Sequence, residues 1–397
     1  MTATTMSVTG APTTPWLDRL TIALLLGFVG ALQVSIAAAD ILLVATLLCW
    51  AAQLVRDKSR PSAPPFFWAL AAYSALTLLS SVFSLDPLDS LIDSKQLVLF
   101  LIVPAVFDIA RGDRAATVVD VIITVGAAIA AYGIVQYGML HYDNLGRRPQ
   151  GTLGHYMTYS GVLMLVTCTA VARLVFGARD RLWPALVMPA LIVALSLTLG
   201  RSAWVGSSVA VGLLLILKDF RLTALLPVVV AILFALAPDA VTDRMTSVFD
   251  LRDPSSRDRL AMVKTGAAMI KDHPLMGVGP DMVIRVYSEY RDPDSVQTKN
   301  PHLHNVPLQI AAERGLPALA VWIAFVVALT MGVFRLFRSS QDRVLPAAAL
   351  AAVAAMIAAG MFEYNFGDSE FLMLFLVIVT LPFAAARQDH AAAGRHA

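Results

Sequence analysis

The chain has 397 residues, 58% of them hydrophobic and 15% charged, with a net charge of +2 and a mean hydropathy of +0.71. Soluble domains carry about 25% charged and about 45–50% apolar residues, so a water-soluble globule is excluded. So small a net charge implies no nucleic-acid partner, and the only cysteines, Cys49 and Cys168, lie inside apolar runs and form neither a disulfide framework nor a zinc pattern.

The N-terminus is Thr-rich and polar up to Trp16. It lacks a basic start followed by a cleavage site, so the first apolar run is expected to be a retained span. In chain order the apolar runs predict about twelve transmembrane helices of roughly 15–22 residues. The first nine lie near 18–36, 39–55, 66–84, 94–110, 116–139, 155–176, 183–199, 203–217 and 222–238. A polar loop then fills 239–303, a short rim helix follows, and three more spans lie near 316–334, 345–362 and 370–386 before the tail at 387–397. The expected fold is therefore an all-α polytopic membrane protein in three parts: spans 1–9 (1–238), a large loop with short helices, and the rim helix with spans 10–12 (304–386). No internal repeat of the kind that marks many transporters is visible.

Basic residues in the short loops set the orientation. Arg56, Lys58 and Arg60, then Arg111 and Arg114, then Arg173, Arg179 and Arg181 fall on one side. Lys218 with Arg221, and Arg335 with Arg338 and Arg343, continue the series. The positive-inside rule makes this side cytoplasmic, with both termini there. The opposite loops are acidic (Asp86, Asp89, Asp93; Glu363, Asp368, Glu370). The 239–303 loop is then external, the periplasmic side of a bacterial inner membrane.

Against that asymmetry the external basic residues stand out: Arg147, Arg148, Arg201, Arg257 and Arg259. Arg201 sits alone between two apolar runs, and a guanidinium there needs a partner or a ligand, unless it merely snorkels to headgroups. Residues 255–270 read as a capped amphipathic helix with Leu260, Val263, Ala267 and Ile270 on one face. Arg259 lies roughly 60° and Arg257 roughly 100° from the centre of that face, so Arg259 borders the buried side. In the external loop 147–155, the two arginines, two glycines and His155 suit either a phosphate or a solvated turn. Asp292 and Asp294 have the spacing of a metal-binding pair but no evident third ligand, and Asp-Pro-Asp is also ordinary turn chemistry.

The stretch Asn300 to Pro317 closes the long loop. Asn305 can cap a helix whose first turn accepts Pro307, Gly315 can end it, and Pro317 can begin the next. His304 is thereby placed at a helix N-terminus on the membrane rim, where an imidazole and exposed N–H groups suit an anionic ligand. His302 is a second imidazole beside it. Glu313 is read either as a partner that orients His304 or as a partner for Arg314 or Arg201.

Together these residues resemble the O-antigen ligase and polymerase superfamily. The likeness rests on His304-Asn305 followed by Leu308-Gln309 and Glu313-Arg314-Gly315, and on the arginine turn Gly200-Arg201-Ser202-Ala203-Trp204. Arg259 with Asp272-His273-Pro274-Leu275-Met276-Gly277-Val278-Gly279, and Gly151-Thr152-Leu153-Gly154-His155, complete it. His302 is an addition to the pattern, and Met262 stands where an aromatic residue is common. The resemblance implies a C-type glycosyltransferase-like membrane fold, an undecaprenyl-diphosphate-linked O-antigen donor and a lipid A-core acceptor. His304 would serve the acceptor, Arg201 and Arg259 the diphosphate, with Arg147, Arg148, His155, Arg257, His302, Asn305 and Glu313 binding substrate. No cofactor and no metal is expected. An O-antigen polymerase and a lipid-linked sugar transporter are the alternatives.

Overall fold

A computed structural model describes residues 15–178, 181–246 and 254–387; Arg179 and the tail beyond Arg387 lie outside them. Every element among the described residues is helical, apart from a single bridge between Asn144 and Arg147. The first helices are α1 (Pro15–Ala31), α2 (Ile36–Arg56) and α3 (Phe67–Val82). The fourth apolar run is subdivided: α4 (Pro87–Asp93), a 3-10 turn (Ser94–Leu101) and α5 (Ile102–Ile109) follow without a break. Next come α6 (Arg114–Leu140), α7 (Tyr156–Phe176), α8 (Leu182–Leu197), α9 (Arg201–Lys218) and α10 (Leu225–Leu236).

Six helical stretches among the described residues are long and apolar enough to cross a membrane, and five further apolar ones run 10–17 residues. In the centre, α7 and α9 pack on α15 (Val344–Gly360), and α16 (Ser369–Ala385) packs on α15 and α5. Both α15 and α16 are buried almost all round, and small residues permit the contact. A Cβ on Gly206 would come within 2.9 Å of the Ala355 carbonyl, so only glycine lets α9 lie this close to α15.

The long polar segment holds α11 (Asp239–Thr246), α12 (Pro254–Asp272) and α13 (Val283–Tyr290). It has its own small core of Met262, Met269, Val278, Met282, Val283, Val286, Tyr287 and Leu303. The face of α12 that packs differs from the one its apolar spacing selects. Ala261, Met262, Thr265, Gly266 and Met269 are buried, while Leu260 is 62% and Val263 46% exposed. Gly266 causes the rotation: a Cβ there would meet Leu303 and Leu308 at 2.8 Å. Asp258 also turns inward, because its carboxylate accepts the Val296 and Gln297 N–H groups and the Ser295 hydroxyl.

The rim helix and the tenth span form one element, α14 (Val306–Ser339), broken only at Gly315 (φ 80°, ψ 170°). The break frees carbonyls that a buried site must satisfy. The Ala312 and Glu313 carbonyls accept the Val278 and Gly279 N–H groups at 2.9 Å, and Leu316 N–H donates to Pro274 O at 2.8 Å. Ser80 Oγ on α3 donates to Met276 O at 2.6 Å and reaches Glu313 O at 3.0 Å. The glycine-rich run 272–279 is thus a backbone splint on the kink, and it joins the long polar segment to the bundle.

Candidate functional site

His304 precedes α14 in the left-handed region, with φ 48°. Asn305 is the N-cap: its Oδ1 accepts Leu308 N–H at 2.9 Å, and its Nδ2 donates to Met361 O at 3.0 Å. The second bond ties the start of α14 to the turn between α15 and α16. That turn supplies Glu363, whose carboxylate lies 2.9 and 3.0 Å from His304 Nδ1. His302 Nε2 is 3.3 Å from the same carboxylate, and the two imidazole centroids are 4.2 Å apart. Burial works to raise the Glu363 carboxyl, but the hydrogen bonds and charge of His302 and His304 outweigh it and hold the group well below the usual carboxylate range.

Glu313 does not orient His304. Nine residues of helix separate them, about 13 Å along the axis. The Glu313 carboxylate instead accepts Asp281 N–H (3.1 Å), Gln309 Nε2 (2.7 Å) and Arg314 Nη1 (2.5 Å), and it is buried. Arg314 continues to the Tyr364 hydroxyl at 3.3 Å. The orienting carboxylate is Glu363, 59 positions further along the chain from His304. Its only sequence signal is an acidic turn between two late spans.

A cavity of about 170 Å³ adjoins this group, lined by His155, Thr158, His302, Glu363, Tyr364 and Asp368 among others. His155 is the N-cap residue of α7 and makes no side-chain cap bond. Thr158 Oγ1 donates to Asp368 Oδ2 at 2.5 Å, and Asp368 Oδ1 caps α16 through Phe371 N–H. Burial, opposed by those bonds, raises the Asp368 carboxyl above its ordinary value.

The guanidinium groups gather on the other flank of α7. Arg201 is the first residue of α9, 7% exposed, and donates from Nη2 to Ser255 Oγ on α12 at 2.9 Å. It therefore turns into the protein rather than out to headgroups. Ser160 of α7 lies against Gly200. Arg148, half-buried, stacks 4.1 Å over the Tyr156 ring. Burial first, and then the Arg201 charge, press its pKa below the usual guanidinium value against the opposing effect of Tyr156. Arg259 is half-buried one turn after Ser255, hence on the helix face that meets Arg201. Arg257 is exposed. Arg147 is also exposed, over the Tyr142 ring at 4.3 Å in a tight Asn144 turn.

Two clusters have metal-like donor sets. Asp292 and Asp294 face Lys264, at 3.5 and 3.1 Å, and form an ion-pair turn. His302, His304 and Glu363 each offer one ligand atom within 4.8 Å of the others. This trio has the donor set of a divalent-ion site, although its carboxylate is already engaged by the imidazoles. No curated protein matches the chain. Residues 184–323 match the family model described as O-antigen ligase. This segment carries the arginine turn, α12, the glycine-rich splint and His304, and over it the chain is similar to that family.

Proposed function

We propose that the protein is an O-antigen ligase of the bacterial inner membrane. In this reading some twelve spans and both termini are arranged as the loop charges require, and the site faces the periplasm. It moves a polysaccharide from an undecaprenyl-diphosphate carrier to a sugar hydroxyl of the lipid A core. One observation carries the assignment of roles: His304 Nδ1 is held by Glu363, whereas its Nε2 makes no hydrogen bond among the described residues. A donating Nδ1–H leaves Nε2 as the basic nitrogen. In His302 the nitrogen not facing Glu363, Nδ1, is buried, so His304 is the imidazole able to meet substrate.

The step is a single displacement. The acceptor oxygen bonds to the anomeric carbon as its proton passes to His304 Nε2. The bond from that carbon to the diphosphate oxygen breaks, and the electron pair leaves with the diphosphate. The anomeric centre inverts. Negative charge grows on the leaving group, and Arg201 and Arg259, with Arg148 close by, are suited to stabilise it through bidentate bonds. The N-terminus of α9, which has no side-chain cap, adds positive potential on the same flank. With guanidinium groups in that role the reaction runs without metal.

Purified protein, lipid-linked glycan and lipid A-core, incubated with chelator, test the reading. Glycan on the core that disappears with His304→Ala is expected. Growth of the lipid-linked chain instead makes the protein a polymerase, and neither product from folded protein returns the reading to transport. Loss of transfer on chelation, restored by zinc or magnesium, would move the imidazole–carboxylate trio from proton transfer to metal binding.

A further inference from the structure

We propose that the cavity between the start of α7 and the 361–368 turn is the binding site for one sugar ring of the acceptor. The proposal rests on the ligase reading and adds where that enzyme holds its second substrate. Charge separates the two substrates. The residues lining the cavity include two carboxylates, Glu363 and Asp368, and neither lysine nor arginine. A diphosphate is repelled there, and the guanidinium groups that suit it lie on the far flank of α7.

The cavity wall is rich in hydrogen-bond acceptors. The Glu363 and Asp368 carboxylates and the Thr158 hydroxyl line it. Several hydroxyls on one uncharged ring answer all of these. Tyr364 and Phe371 supply aromatic surface in the same wall for the ring's C–H face.

Size and position agree. At about 170 Å³ the cavity is smaller than the roughly 300–1,000 Å³ of pockets for drug-sized ligands, so it takes one ring and not an oligosaccharide. His302 and Glu363 form its wall and also touch His304. A sugar seated there presents a hydroxyl beside the imidazole that receives its proton.

The test is a kinetic titration of the full-length protein with lipid A-core at saturating lipid-linked glycan, and the reverse. Thr158→Val and Asp368→Asn are expected to raise the acceptor KM about tenfold while the donor KM stays within twofold. Thr158→Ser, which keeps the hydroxyl, restores the wild-type acceptor KM. His155→Gln, at an exposed position, gives the same direction of change and covers the case in which the Asp368 variant fails to fold. Unchanged acceptor KM in folded variants, or a rise confined to the donor, overturns the proposal. Rescue of the variants by added zinc or magnesium at unchanged acceptor KM also overturns it, in favour of a cation. If the wild-type protein extends the lipid-linked chain instead, the ligase reading alone fails, and the same variants are titrated against that chain as acceptor.

Discussion

Two buried carboxylates, at opposite ends of α16, do opposite things. Asp108 on α5 sits where α16 ends. It accepts from Arg387 Nη1 (2.6 Å), Arg111 Nη2 (3.1 Å), Trp50 Nε1 (3.2 Å) and Ser62 N–H (3.3 Å). Glu363 sits just before α16 begins, about 25 Å away by helix rise, and its ring partners are two imidazoles. A guanidinium keeps its charge at every accessible pH, so the Asp108 group is a fixed clamp joining α2, α5 and the end of α16. An imidazole has one nitrogen that donates and one that accepts, so the Glu363 group can exchange a proton. Equal burial does not make equal function; the partner's proton chemistry does.

Breaking this contrast begins with His304→Ala. Loss of a general base lowers rate by about 10²–10⁴-fold, and transfer per folded molecule should fall by that much. Wild-type transfer by a folded, membrane-inserted variant would refute the assignment. Arg201→Lys comes next. It retains charge but loses the fork geometry, and a hydrogen bond to a charged group contributes roughly 1.5–3 kcal/mol. We expect kcat/KM to fall about tenfold to hundredfold, in single-turnover assays with donor varied.

Glu363→Gln sharpens the contrast further. The amide oxygen still accepts the Nδ1–H bond but carries no charge, so transfer should drop about tenfold, less than for His304→Ala. The same variant reports on stability. The folded carboxyl is held below its unfolded value of about 4.3, so its stabilisation is complete above that pH. It is lost as pH falls through the folded value. The melting difference between wild type and variant should therefore narrow below about pH 4. A difference that widens below that pH would mean the pairing is misassigned.

Much of this was legible in the sequence. Long apolar runs announce helices because the membrane permits little else, and the Asn305 cap and Gly315 break follow from local backbone chemistry. The parts that were not legible have particular causes. Glu363 lies far from the histidines in sequence, and only the packing of α14 on α15 delivers it. Glu313 looked the better partner by proximity in the chain, but helical rise carries it out of reach. On α12 the apolar period chose Leu260 and Val263, whereas the packed face is made by Gly266, Thr265 and two methionines. Close approach, not hydrophobicity, selected that side. Arg201 was read as needing a partner or a ligand, and its contact with Ser255 belongs to two segments that only the fold brings together.

The smallest expected effect is at the other end of the molecule and completes the comparison. Asp108→Asn keeps an oxygen for Trp50 and Ser62 but removes the charge facing Arg111 and Arg387. Their side chains are 36% and 29% exposed, so each can turn to water when the carboxylate goes, and the loss is about 1 kcal/mol rather than that of a buried unpaired charge. Melting in detergent should fall by a few degrees, with less difference at high salt as screening weakens the wild-type pairs. Transfer per folded molecule should stay within twofold, because nothing at this end titrates with the reaction or meets the substrates. A tenfold loss of transfer in folded Asp108→Asn would show that α16 carries a signal between its ends, and the division into a static clamp and a reactive one would fail.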